Sequence, residues 1–207
     1  AQIQSMYSRK TIVNQDRNLQ AYVIGLAIGD GNLSNPNGRA TRLRITCDKK
    51  YPILIEKIKT SLYQLLPQNK VSVIERKGCV DISVYSNHLE KILGWQSQGG
   101  SKFIQNVSVP SWIKEKNDYK INCLKGLMET DGSIYLDRGY KMALFSTVIP
   151  KLAEDTIEII KSLGFHPHLY KIKSQSGRDN FNRQLIYRIR ISKNVANFLN
   201  LIKPEKI

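Results

Sequence analysis

Histidine, cysteine and tryptophan are scarce in this chain, at three, three and two among 207 residues. Cys47, Cys79 and Cys123 are odd in number and show no CxxC spacing, which excludes a zinc ribbon or a paired disulfide framework. They read as buried free thiols in a reducing, intracellular compartment. His166-Pro167-His168 resembles a metal pair, but no third ligand lies near it, and it reads as a strand entry. Long apolar runs are also missing: Ala21 to Gly29, the longest, is too short to cross a bilayer. No basic-then-apolar leader opens the sequence, so nothing suggests secretion. There is no low-complexity segment, and no Cys or Ser block with a His-Asn end of the kind that marks a protein-splicing element.

Acid is short relative to base. Seventeen Asp and Glu stand against 32 Lys and Arg, giving a net charge of +15 and a pI of about 9.8. That imbalance points to a polyanionic partner, with nucleic acid ahead of a membrane or ribosomal surface. Hydrophobic residues make up 41% of the chain, enough for a real core in one large domain or two small ones.

Two nine-residue stretches organise the rest: Val23-Ile24-Gly25-Leu26-Ala27-Ile28-Gly29-Asp30-Gly31 and Leu124-Lys125-Gly126-Leu127-Met128-Glu129-Thr130-Asp131-Gly132. Each is mostly apolar and stops at Asp-Gly. Asn18 or Asp16 suits an N-cap for the first helix, and Asp118 for the second. Each helix then runs about 18 Å to its acid. The glycine after the acid is expected to take a turn that a side chain resists. Small residues recur one turn apart, Gly25 with Gly29 and Gly126 with Thr130. Glycine inside a helix costs about 1 kcal/mol relative to alanine, which makes sense if another backbone packs on that face. If the two helices pack on each other, Asp30 and Asp131 arrive at one place.

Carboxylates brought together repel unless a cation lies between them. Helix C-termini add free carbonyls and partial negative charge, here those of Gly29 and Thr130. An oxygen-only donor set selects a hard divalent ion: Mg²⁺, or Mn²⁺, with Ca²⁺ as a non-catalytic substitute. Such ions activate water and stabilise the leaving oxygen in phosphodiester hydrolysis.

The doubled pattern resembles the LAGLIDADG homing endonucleases in their single-chain, two-motif form. The match is carried by Gly25, Leu26, Asp30 and Gly31, and by Leu124, Gly126, Leu127, Asp131 and Gly132. It departs at Lys125, where the family more often has a small residue, and at Ile28, which stands where the motif has its first acid. Glu129 restores that acid in the second copy. The resemblance implies an α+β fold of two pseudo-symmetric αββαββα repeats, packed through the motif helices, with an antiparallel β-saddle over DNA. It implies a monomeric, metal-dependent enzyme of intron homing that cuts both strands of a long duplex target, one Asp per helix serving each strand. It also implies basic and polar neighbours at the metal centre: Lys102 as a catalytic lysine, Lys203 or Lys206 as its counterpart, and Asp48 and Thr147 after the hairpin strands. The alternative on the same fold is an intron-RNA maturase or a non-cleaving DNA-binding regulator, neither of which needs the two acids.

The remaining chain repeats in order. The first unit spans residues 1–96, a linker residues 97–117, and the second unit residues 118–207. Hairpins are expected over Asn32 to Cys47, turning at Asn35-Pro36-Asn37-Gly38, and over Val71 to Tyr85, turning at Lys77-Gly78. Helices are expected from Pro52 to Leu66 and from Asn87 to Leu93. After Asp131 come strands within Ser133 to Thr147, a helix from Pro150 to Leu163, strands His168 to Lys173 and Leu185 to Ile191, and a helix from Asn194 to Ile202.

Alternation within the strands sorts their faces. Outer-face candidates for base or phosphate contact in the first unit are Asn32, Ser34, Arg42, Arg44, Thr46, Arg76, Asp81 and Ser83. In the second unit they are Ser133, Tyr135, Lys141, Lys171, Lys173, Arg188 and Arg190. Arg and Lys address guanine, Asn and Gln adenine, and Asp accepts from cytosine, so this mixture suits groove readout better than a purely basic surface would. A strand pair of about ten residues is near ten base pairs long, so two such sheets cover about 20 base pairs.

Overall fold

Asp16 starts the first helix: its Oδ1 accepts from the backbone N–H of Asn18 at 2.8 Å and of Leu19 at 3.3 Å. This is a side-chain cap of the kind that satisfies orphan donors at a helix start. A computed structural model describes residues 12–36, 38–173 and 185–206, and Asn37 of the first hairpin tip lies outside them. The helix, α1, is Arg17–Gly29. It is followed by strands β1 (Gly31–Ser34) and β2 (Arg42–Asp48), helix α2 (Pro52–Leu65), strands β3 (Ser72–Glu75) and β4 (Cys79–Tyr85), and helix α3 (Leu89–Leu93).

The order then recurs. Helix α4 is Asn117–Thr130, strands β5 and β6 are Gly132–Asp137 and Tyr140–Thr147, and helix α5 is Pro150–Ser162. Strands β7 (Pro167–Lys173) and β8 (Leu185–Ile191) and helix α6 (Val195–Ile202) complete it. Each half is α+β, with one four-stranded antiparallel sheet. The first is ordered β1-β2-β4-β3 and the second β5-β6-β8-β7, the same topology twice.

One sheet face is core in each half. Leu43 and Ile45 of β2 and Val80, Ile82 and Val84 of β4 are buried, as are Ala143 and Phe145 of β6 and Ile189 and Ile191 of β8. Pro52 and Pro150 stand at the starts of α2 and α5, where a missing N–H costs nothing. Asp118 does not cap α4: the cap position is Lys116, with no side-chain hydrogen bond, and Asp118 lies in the first turn, where its charge suits the helix dipole.

The halves join where α1 crosses α4. A Cβ on Gly126 would stand 2.5 Å from the Tyr22 carbonyl oxygen and 2.6 Å from the Leu26 nitrogen. Any side chain there has to push the helices apart. Residues 97–117 also pack: Val107, Val109 and Ile113 are buried, and a short 3₁₀ turn forms at Ser111–Glu115. Buried Asp155 of α5 accepts from the Val109 N–H at 3.0 Å and the Lys114 ammonium at 2.6 Å. Arg17 of α1 lies 4.7 Å over the Trp112 ring, so the linker is fastened to both halves.

Candidate active site and nucleic-acid face

The helix ends meet one turn beyond the crossing. A Cβ on Gly29 would overlap the Thr130 side chain, whose hydroxyl turns back to donate to the Gly126 and Leu127 carbonyls, each at 3.0 Å. Asp30 and Asp131 are the next residues and take the C-cap positions of α1 and α4. Gly31 and Gly132 follow for a steric reason rather than a conformational one. Neither has positive φ. A Cβ on Gly31 would stand 2.5 Å from the Ala27 Cα, and one on Gly132 2.6 Å from the Met128 Cα, because each strand folds back along its own helix.

Two lysines approach these ends. Lys102 Nζ donates to the carbonyls of Ala27 at 3.3 Å, Ile28 at 2.5 Å, and Gly29. Lys206 Nζ donates to Thr130 O at 2.6 Å and Gly132 O at 3.4 Å. The pairing is crossed: Lys102 caps α1 but acts more strongly on the Asp131 charge, and Lys206 caps α4 but acts more strongly on Asp30. Of the alternatives Lys203 and Lys206, Lys206 is the residue brought here, while Lys203 caps the end of α6.

Lys102 is held by its loop. Gln105 Nε2 donates to the Gln96 and Gly100 carbonyls, at 2.9 and 3.0 Å, and its Oε1 accepts from the Gln96 N–H at 2.9 Å. Nothing in the sequence singled out Gln105. Thr147 is buried, and its hydroxyl accepts from the Ile149 N–H at 3.1 Å. Ser101, Lys102, Phe103, Asp131, Ser146 and Thr147 line a cleft of about 520 Å³ beside the acids. Asp48 is exposed and turned to its own hairpin end, where it accepts from the Lys50 N–H at 3.0 Å.

Burial and mutual proximity penalise the two negative charges of the site. Desolvation, then the neighbouring Asp30 charge, pushes the Asp131 carboxyl up to about 6. Desolvation also raises Asp30, against the pull of Lys206 and Lys102, and lowers Lys102 against the pull of both acids. In accessible area both carboxylates face solvent, so surrounding water moderates these effects. The Gly29 and Thr130 carbonyls, expected to face a metal, carry ammonium groups in this structure. Among the described residues no three His, Cys, Asp or Glu cluster to cage an ion. The donor set still fits Mg²⁺ or Mn²⁺, since such ions commonly take one or two carboxylates and complete their shell with water and substrate phosphate.

Register decides which strand residues share the outer face. Asn32 pairs with Arg44, Ser34 with Arg42, Arg44 with Ser83, Thr46 with Asp81, and Ile74 with Asp81. In the second sheet Ser133 pairs with Leu144, Tyr135 with Met142, Leu144 and His168 with Arg190, and Ser146 and Tyr170 with Arg188. These residues lie opposite the core. Tyr170, Ile172, Leu144 and Met142 belong to this face and were missed, because apolar and aromatic residues in a strand read as core.

Four expectations need correction. Lys171 pairs with Tyr187 and Lys173 with Leu185, which puts both on the face of buried Ile189, away from Arg188 and Arg190. Lys141 alternates with Met142 and lines a cleft with Leu199 and Lys203 at the end of α6, on the face of buried Ala143 and Phe145. Asp81 is 4% exposed and already committed. It accepts from the Thr46 hydroxyl at 2.7 Å and pairs with Arg76 Nε at 2.5 Å and Arg44 Nη1 at 3.9 Å. Its burial raises the carboxyl, but Thr46, Arg76 and Arg44 hold it below the usual range. It is a brace for two arginines rather than an acceptor for cytosine.

The chain is similar to known proteins in sequence and in fold. Residues 118–203 match the LAGLIDADG-like domain family. The homing endonuclease I-DmoI, solved in complex with DNA and Mn, superposes with a TM-score of 0.63 at 19% identity, covering 90% of this chain and 96% of its own. The N-terminal LAGLIDADG domain of DUF199/WhiA superposes at 0.57 and 12% identity, covering 93% and 86%. In sequence, the tRNA-splicing ligase RtcB of Methanopyrus kandleri is 26% identical over 220 residues. That match takes in 90% of this chain and 21% of the ligase, so the chain spans about a fifth of this curated relative.

Proposed function

We propose that this chain, which has the two-motif LAGLIDADG fold, is a divalent-metal-dependent endonuclease that cuts both strands of a duplex DNA target of about 20 base pairs. The observation that carries the reading is the pair Asp30 and Asp131, delivered to one point by two crossing helices and flanked by Lys102 and Lys206. Fold alone does not select a chemistry; the acids and lysines do. Structures of I-DmoI include complexes with DNA and Mn and with DNA and Ca, which supports a divalent ion here. The tRNA-splicing ligase lends no activity, since only 21% of it is matched.

Each half supplies one acid and one sheet. Asp30 and Asp131 would hold Mg²⁺ or Mn²⁺, which when bound supplies an activated water and neutralises the leaving oxygen. Lys102 and Lys206 add positive charge beside the scissile phosphates, where negative charge grows during hydrolysis. Arg42, Arg44, Arg188 and Arg190 stand on the outer sheet face, where at least two of them read bases, and Tyr135, Tyr170 and Leu144 give it apolar contact surface for thymine methyls. A target this long suits intron homing, and the thiols suit a reducing compartment. Burial pushes Cys47 up to about 11 and Cys123 up to about 12, so neither is a reactive thiolate.

Incubation with a randomised duplex library and Mg²⁺, followed by sequencing of the cleaved ends, tests the reading. Recovery of one long consensus cut on both strands is the expected result. Tight, sequence-specific binding with no cut ends would favour the regulator, and preference for structured RNA the maturase.

A further inference from the structure

Glu129 is the acid that the second motif has and the first, with Ile28, lacks. Its carboxylate is fully enclosed. Oε2 accepts from the Tyr22 hydroxyl of α1 at 2.6 Å, and Oε1 accepts from the backbone N–H of Glu205 at 2.8 Å. The Glu205 side chain in turn receives Lys57 of α2 at 2.7 Å and Lys125 of α4 at 3.3 Å. Helices α2 and α4 therefore converge on one residue of the segment after α6, and α1 joins them through Tyr22 and Glu129. The next residue is Lys206, whose ammonium rests on the Thr130 carbonyl at 2.6 Å. A buried carboxylate is costly unless its bonds are satisfied, and here both oxygens are satisfied, one by the Tyr22 hydroxyl and one by the Glu205 backbone N–H.

Lys102 occupies the matching place at α1 but hangs from the Gln105 loop, an unrelated support. We infer that Glu129 and Glu205 are positioning residues for Lys206, so that the two half-sites of this chain are set by separate devices. For its effect on cleavage the inference rests on the endonuclease reading. Because Lys206 is seated at the end of α4 and Lys102 at the end of α1, loosening this network slows one strand's cut and spares the other.

Amine footprinting of the metal-free protein, read residue by residue by mass spectrometry, tests the anchoring without any activity. Lys206 should be protected in wild type. In Glu129→Ala and Glu205→Ala it should label about tenfold faster, while Lys102 keeps its wild-type rate. Should Glu129→Ala fail to fold, accelerated Lys102 labelling reveals it, and Glu205→Ala with Tyr22→Phe decides. Unchanged Lys206 labelling in folded variants overturns the inference, as does a Lys206 already open in wild type. On a duplex that wild type cuts, with each strand labelled, these variants and Lys206→Met should slow the same strand, and Lys102→Met the other. Equal slowing of both strands, which a merely structural network would produce, also overturns it. A wild type that cuts no duplex refutes the endonuclease reading and leaves the footprinting to decide this one.

Discussion

A Cβ on Gly25 would stand 3.1 Å from the Cα of Gly126, because the two motif helices meet backbone to backbone at this pair. The same Cβ would overlap the Cys123 carbonyl oxygen, and backbone cannot step aside as a side-chain tip does. Gly25→Leu or Gly126→Leu should therefore cost about 2 kcal/mol or more through overpacking. Thermal melts check this: a drop of several degrees is expected, and an unchanged melting temperature would mean the helices do not pack here.

Asp81 braces Arg44 and Arg76 from below the outer face. Asp81→Asn should leave the phosphate contacts in place but loosen both guanidinium groups, relaxing base preference where Arg44 reads. Arg42→Ala, Arg44→Ala, Arg188→Ala and Arg190→Ala should each cost about 1–3 kcal/mol at one or two base pairs if they read bases. At least two of the four are expected to do so. Lys171→Ala, on the opposite face, serves as the control and should keep preference intact. Binding to every single-base variant of the target measures this, and uniform loss across all four arginine variants would assign these strands to the backbone alone.

What the sequence could show follows from physical reach. Helices α1 and α4, and the acids that end them, were legible because small residues one turn apart and an abrupt Asp-Gly stop are local signals. Strand positions were legible from alternation, but faces near the sheet ends were not. Lys141, Lys171 and Lys173 alternate correctly yet sit where polar character no longer distinguishes the outer side. Asp81 was misread because Arg44 lies on the neighbouring strand β2 and Arg76 just past the end of β3, a meeting that only register reveals. The Glu129 network had a faint trace: Lys125 lies one turn before Glu129, each a departure from the first copy.

The acids themselves should destabilise the metal-free fold. Asp131 is raised from an ordinary value of 3.8 to about 6, first by desolvation and then by Asp30. A carboxyl raised on folding binds more protons in the native state across that window, so stability falls as pH rises through it. Asp131→Asn should therefore melt higher than wild type above about pH 6 in chelator, with the gain shrinking below about pH 4. Added Mg²⁺ or Mn²⁺ should raise the wild type and not the variant. Parallel pH profiles for the two proteins would show that Asp131 carries no such burden.

The central claim is that Asp30 and Asp131 cut while the sheets bind. Asp30→Asn and Asp131→Asn, assayed with Mg²⁺ on the duplex that wild type cleaves, test it most directly. Each variant should lose double-strand cleavage while its DNA affinity stays within about tenfold of wild type, since binding rests on the strands and on backbone charge. Full cleavage of both strands by either variant would contradict the account.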